Sequence, residues 1–177
     1  MSEADHVLGN PEASVTLVVY GDYQCPYTGI AFHTVARIMK ILGDQVAYVY
    51  RNFPLTDIHP EAFLAAEAAE AADEQGKFWA MHETILKNQA ELGEEDLIQY
   101  AARLGMDPKL FFESLRQHRY ASRVQKDLQT GAQSGVEETP TFFINGKKFT
   151  ARADFPSLRL AIEAALAQSA QASQKTA

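Results

Sequence analysis

The chain has 177 residues, 46% hydrophobic and 22% charged, with a formal net charge of −7. That length fits one domain able to bury roughly 70% of its unfolded surface, and the acidic balance argues against nucleic acid and anionic membranes, which attract basic patches. No apolar run approaches the ~20 residues needed to span a bilayer. Met1-Ser-Glu-Ala-Asp5 is acidic without an apolar core, unlike a secretory signal, so the expected location is cytoplasmic, although a trimmed leader or an excised domain would read the same way. The only cysteine is Cys25, so an internal disulfide is impossible.

Residues 1–13 are polar, include Asn10-Pro11, and predict a loop or extended arm. Val15 to Tyr20 is rich in β-branched and aromatic residues and predicts a buried strand. Gly21 and Asp22 break it, and Pro26 suits the first position of a helix running to about Leu42. Ile30, Val35, Ile38, Met39 and Leu42 give that helix an apolar face, and Gly43 stops it. Gln45 to Arg51 is strand-like again, which completes a βαβ unit with parallel strands.

Alanine-rich residues 61–75 predict a helix between Pro60 and Gly76. Further helices follow at Lys77–Asn88, Glu94–Leu104, Pro108–His118 and about Tyr120–Gln133, with no strand among them. Gly135 closes this block. Thr141–Ile144 and Lys147–Thr150 flank Asn145-Gly146, the favoured two-residue hairpin turn. Asp154 caps a last amphipathic helix carrying Leu158, Ala161, Ile162, Ala165 and Leu166, and the aperiodic residues from Gln168 onward are expected to fray.

Cys25 falls just before the helix opened by Pro26. The free N–H groups and positive dipole end there favour a thiolate, so a half-exposed sulfur with a depressed pKa is expected. A lone cysteine is often simply buried, but the turn before Cys25 and the helix start after it point to a nucleophile. Thr28 lies one helical turn on, within reach of a hydrogen bond from its hydroxyl to the sulfur. Asp22 and Tyr23 are close enough to shape the site, although a carboxylate there opposes the dipole unless it relays protons. Phe78 and Trp79 either line a groove over the site or sit in the core. His33 is off the Cys25 face, His59 is expected to be solvated, and His82 and His118 fall on helices. No spacing among them suggests a metal site.

Cys25-Pro26-Tyr27-Thr28 resembles the Cys-Pro-Tyr-Cys site of DsbA-like thioredoxin-fold oxidoreductases, with threonine in place of the second cysteine. Three further blocks share the resemblance in order: Arg51-Asn-Phe-Pro-Leu55 with His59-Pro60, Gln75-Gly76-Lys77-Phe78-Trp79, and Glu138-Thr139-Pro140-Thr141-Phe142-Phe143-Ile144-Asn145-Gly146. The resemblance implies an α/β thioredoxin fold, with a mixed sheet built as βαβ then ββα and an all-helical insertion between the halves. Its core would occupy about 14–58 and 136–167, the insertion about 60–134 and a flexible tail about 168–177, all in a single domain.

By the same resemblance Cys25 and Thr28 are the catalytic candidates, and Pro26, Tyr27, Thr139 and Pro140 contact substrate, with Asp22 as a further candidate. The Thr139–Pro140 bond would be cis and face Cys25, its backbone pairing with an extended disulfide-containing or glutathionylated protein or peptide. Without a second cysteine the mixed disulfide must be resolved by an external thiol such as glutathione, as co-substrate rather than bound cofactor. Alternatives are a redox-silent peptide-binding module, a glutathione-linked transferase or isomerase, a peroxide-sensing thiol and, formally, a Cys/His/Asp hydrolase.

Overall fold

A computed structural model of the chain describes residue 2 and residues 5–176. The described residues form a five-stranded mixed sheet with seven α-helices, the thioredoxin-like arrangement anticipated. The strands are β1 (His6–Gly9), β2 (Val15–Gly21), β3 (Val46–Asn52), β4 (Thr141–Ile144) and β5 (Lys147–Lys148), in the order β1-β3-β2-β4-β5. The pairs β1–β3, β2–β4 and β4–β5 are antiparallel. Contacts divide the chain into two compact units: residues 1–20, 30–51 and 140–177, and residues 21–29 with 52–139. The cysteine turn groups with the helices rather than with the sheet.

In the first unit, β3 buries every residue except the partly exposed Arg51, as a central strand must. Helix α1 (Pro26–Leu42) contributes Ala31, Val35, Ile38 and Leu42 to the core. Ile30, expected on that face, is 63% exposed. It sits eight residues before Ile38, a rotation of about 80° at 100° per residue, which takes it off the buried stripe. Helix α7 (Phe155–Thr176) packs Leu158 and Ile162 inward and contacts β4. It continues through the segment expected to fray. Asn145 and Gly146 take positive φ angles of 47° and 76°, as a type I′ turn requires. Asn145 also accepts the Thr16 amide on its side chain, so the turn residue is tied to β2.

Strand β1 lies within the stretch expected to be a loop or extended arm. Four residues with one glycine carry too little periodicity to be legible, and β1 exists by pairing His6 to Gly9 with Tyr50 to Ala47. Gly9 has φ +90°, and a Cβ there would lie 2.6 Å from the Val46 carbonyl oxygen. Just before β1, Asp5 accepts two hydrogen bonds from Arg51, at 2.8 and 2.9 Å, and Arg51 also donates to the Tyr20 hydroxyl. Burial alone would push the Asp5 carboxyl up, but hydrogen bonds from Arg51 and Ser2 outweigh it and hold it below the ordinary range.

The second unit is organised on α2 (Ala62–Asp73), which contacts α3 (Phe78–Lys87), α4 (Glu94–Arg103), α5 (Pro108–Arg116) and α6 (Ala121–Gln133). Seven of its alanines are essentially fully buried. Side chains that small let neighbouring helices approach closely on several sides, so the helix has no single apolar stripe. Phe78, Met81, Ile85, Leu97, Phe111, Leu115 and Val124 fill the space around it.

The Asp5–Arg51 pair predicts a pH-dependent stability. Because the folded carboxyl titrates below the unfolded one, its contribution is present at neutral pH and disappears as pH falls through the folded value. Asp5→Asn is expected to cost about 2 kcal/mol at pH 7, the range for a buried charged hydrogen bond, and much less near pH 3. Urea unfolding of both proteins at the two pH values checks this.

Candidate active site

The segment Asp22 to Cys25 joins β2 to α1, and its backbone groups need partners there. The buried Asp22 carboxylate supplies two of them. Its Oδ1 accepts the amides of Gln24 at 2.8 Å and Cys25 at 3.1 Å, closing an Asx turn. Its Oδ2 accepts the Leu55 amide at 2.8 Å and lies 2.9 Å from His59 Nδ1. A single carboxylate thus fastens the cysteine turn to the loop that precedes α2.

The neighbouring side chains add further ties. Tyr23 is buried, with its hydroxyl 2.9 Å from His82 Nδ1. Phe78 and Trp79 pack on the His82 ring at centroid distances of 6.0 and 5.2 Å, so these aromatics serve the packing behind Tyr23. Gln24 and Glu61 exchange two hydrogen bonds, Gln24 Oε1 accepting the Glu61 amide at the mouth of α2. From the loop after α3, Gln89 Nε2 donates to the carbonyls of Tyr23 and Cys25, both at 2.8 Å.

Cys25 immediately precedes Pro26, the first residue of α1, and its carbonyl accepts the Thr28 and Gly29 amides in the opening helical turn. Its sulfur is not half-exposed as the sequence suggested. The residue is 4% exposed, and Sγ donates to the Thr139 carbonyl at 3.3 Å. The reason is the set of ties just described, which draw chain over the turn from several directions. Pro26 and the 70% exposed Tyr27 remain on the surface.

Thr28 is 2% exposed, and its Oγ1 accepts the Asp22 amide at 3.3 Å instead of donating to the sulfur. Thr139 is buried, with its hydroxyl lacking a hydrogen-bond partner among the described residues. Pro140 follows it in the chain, half-buried, and leads into β4 in the other unit. Among the expected residues, Asp22, Cys25, Thr28 and Thr139 therefore share one bonded cluster. His59, expected to be solvated, is a member too, and His82 stands one contact behind. His118 instead pairs with Glu67 at 2.8 Å. Gln89, Gln24 and Glu61 were missed. Nothing in their local sequence marks them, because their partners lie far along the chain.

A buried turn ending in a thiol at a helix start, in a chain that carries a mixed sheet and a set of helices, defines a thioredoxin-fold protein of the DsbA-like class. A thioredoxin family model matches residues 1–164, and the chain belongs to that family. Among solved structures, oxidised BdbD from Bacillus subtilis is 28% identical with a TM-score of 0.83, and 92% of each chain is covered. A thioredoxin-like oxidoreductase from Silicibacter pomeroyi DSS-3 is 26% identical with a TM-score of 0.82, over 93% of each chain. A Na(+)/H(+) antiporter NhaA 3 of Salinispora tropica is 45% identical over 93% of this chain but only 25% of its own length. The chain thus spans about a quarter of the curated relatives it matches.

The Asp22 network predicts a specific sensitivity. Asp22→Asn keeps the shape but turns an amide N–H₂ toward a backbone donor, leaving at least one buried N–H unpaired. That should lower stability by about 2 kcal/mol, read as a shifted denaturation midpoint.

Proposed function

We propose that the protein is a thiol–disulfide oxidoreductase of monothiol type. The Cys25 thiolate attacks one sulfur of a client disulfide, forming a mixed disulfide and releasing the other sulfur as thiolate. An external thiol then attacks the mixed disulfide, restoring Cys25 and leaving as the new disulfide. With a glutathionylated client, Cys25 takes up the glutathione sulfur, the client thiolate departs, and a second glutathione leaves as oxidised glutathione. The observation that carries this proposal is the position of the chain's one thiol at the start of the 17-residue helix α1, where the dipole favours an anion. Likeness to an oxidoreductase of 26% identity supports the reaction class.

Within this proposal Thr28 cannot resolve the intermediate, because a hydroxyl does not attack a disulfide as a thiolate does. Pro26 and Tyr27 lie on the surface next to Cys25 and meet the client. The Thr139 and Pro140 backbone is assigned the pairing with an extended client strand. One observation favours a second reading. The near-complete burial of Cys25 and the hydrogen bond from its thiol to Thr139 suit a redox-silent module that holds peptides without reacting.

Intact-mass measurement separates the two. Incubation with oxidised glutathione at neutral pH should add one glutathione, which reduced glutathione removes and Cys25→Ala prevents. Inertness of the native protein would instead overturn the monothiol proposal and support the binding module. Thr28→Cys supplies an intramolecular thiol, and effective molarities of well-placed groups predict release of the mixed disulfide faster by ~100-fold or more at millimolar external thiol. Single-turnover release of a labelled mixed disulfide measures it.

A further inference from the structure

Gln89 belongs to no motif, yet both hydrogens of its amide nitrogen are committed to the cysteine turn. Nε2 donates at 2.8 Å to the carbonyl of Tyr23 and at 2.8 Å to that of Cys25. The first carbonyl belongs to the Tyr23–Gln24 peptide group and the second to the Cys25–Pro26 group, so the two bracket Gln24 and Cys25. The Cys25 carbonyl already accepts the Thr28 and Gly29 amides, at 3.0 and 3.2 Å, so Gln89 loads it further from outside the helix.

A second, independent feature is cut to fit the same side chain. A Cβ on Gly29, the fourth residue of α1, would lie 2.2 Å from Gln89 Oε1 and 2.9 Å from its Cδ. Glycine inside a helix is unfavourable relative to alanine. At this position it leaves the space through which Gln89 reaches the turn.

We propose that Gln89 is a positioning residue for Cys25. It fixes the Tyr23–Gln24 and Cys25–Pro26 peptide planes, so that Cys25 is held at the start of α1, with Gly29 as the gap that admits it. The inference rests on Cys25 being the nucleophile. When the clamp is lost the turn can rotate, Sγ moves away from the start of α1, and the dipole no longer favours the thiolate.

The test is the rate of Cys25 alkylation by iodoacetamide as a function of pH, followed by intact mass, with melting curves to show that each variant folds. The charged and titratable groups around the turn (Asp22, Tyr23, His59, Glu61 and His82) are the same in every variant, so differences report the clamp. Gln89→Met, similar in length but without donors, should move the midpoint of the profile to higher pH and slow alkylation at neutral pH about tenfold. Gly29→Ala should do the same by displacing Gln89, and adding it to Gln89→Ala should change the profile no further. Gln89→Asn, a milder change, should fall between parent and Gln89→Met, and it decides the matter where Gln89→Met does not fold.

A Gln89→Met or Gln89→Asn profile that superimposes on the parent overturns the proposal, as does a Gly29→Ala effect that adds in full to Gln89→Ala. A parent Cys25 that reacts only in urea removes the nucleophile itself, and the clamp falls with it. A reactive parent with unresponsive Gln89 variants removes the clamp alone.

Discussion

Everything at the candidate site depends on where the Asp22 carboxylate finds its hydrogen-bond donors. Two come from the turn itself, the Gln24 and Cys25 amides, and two from the 52–59 loop, the Leu55 amide and His59. A buried carboxylate is tolerated only when its lone pairs are so filled. In meeting its own requirement Asp22 holds Cys25 at the mouth of α1. Tyr23 with His82, Gln24 with Glu61 and Gln89 with the Tyr23 and Cys25 carbonyls repeat the pattern, tying the turn to residues far along the chain.

That arrangement gives the cysteine turn an unexpected allegiance. It is continuous in sequence with strand β2, but residues 21–29 cluster with 52–139. Geometry around the thiol therefore depends on the loop before α2, on α3 and on the loop after it. A βαβ unit alone would leave the Asp22, Tyr23 and Cys25 polar groups seeking water.

Threonine at position 28 has a plain structural use. Its Oγ1 accepts the Asp22 amide within the same turn, a bond that a cysteine sulfur makes only weakly. The side chain is committed to holding the turn, which accords with chemistry in which the second thiol comes from outside. The exposed neighbours Pro26 and Tyr27 contrast with the buried Asp22, Cys25 and Thr28. The turn offers a surface beside the sulfur while keeping its own polar groups dry.

The amino-acid sequence by itself determined the helices, β2 to β4, the hairpin turn and the thioredoxin kinship. Those signals are local: Pro26 and Gly43 punctuate α1, alanine fills α2, and Asn145-Gly146 can turn only one way. Cys25, Asp22 and Thr28 were legible as a cluster for the same reason, lying within seven consecutive residues. Only the tertiary structure decided that β1 is a strand, that Cys25 is covered, that His59 binds Asp22 and that Gln89 reaches the turn. These rest on pairings across long separations, 37 residues for His59 with Asp22, 64 for Gln89 with Cys25 and 114 for Cys25 with Thr139. Such hydrogen bonds leave no periodic trace, because either partner would read the same in a loop facing water.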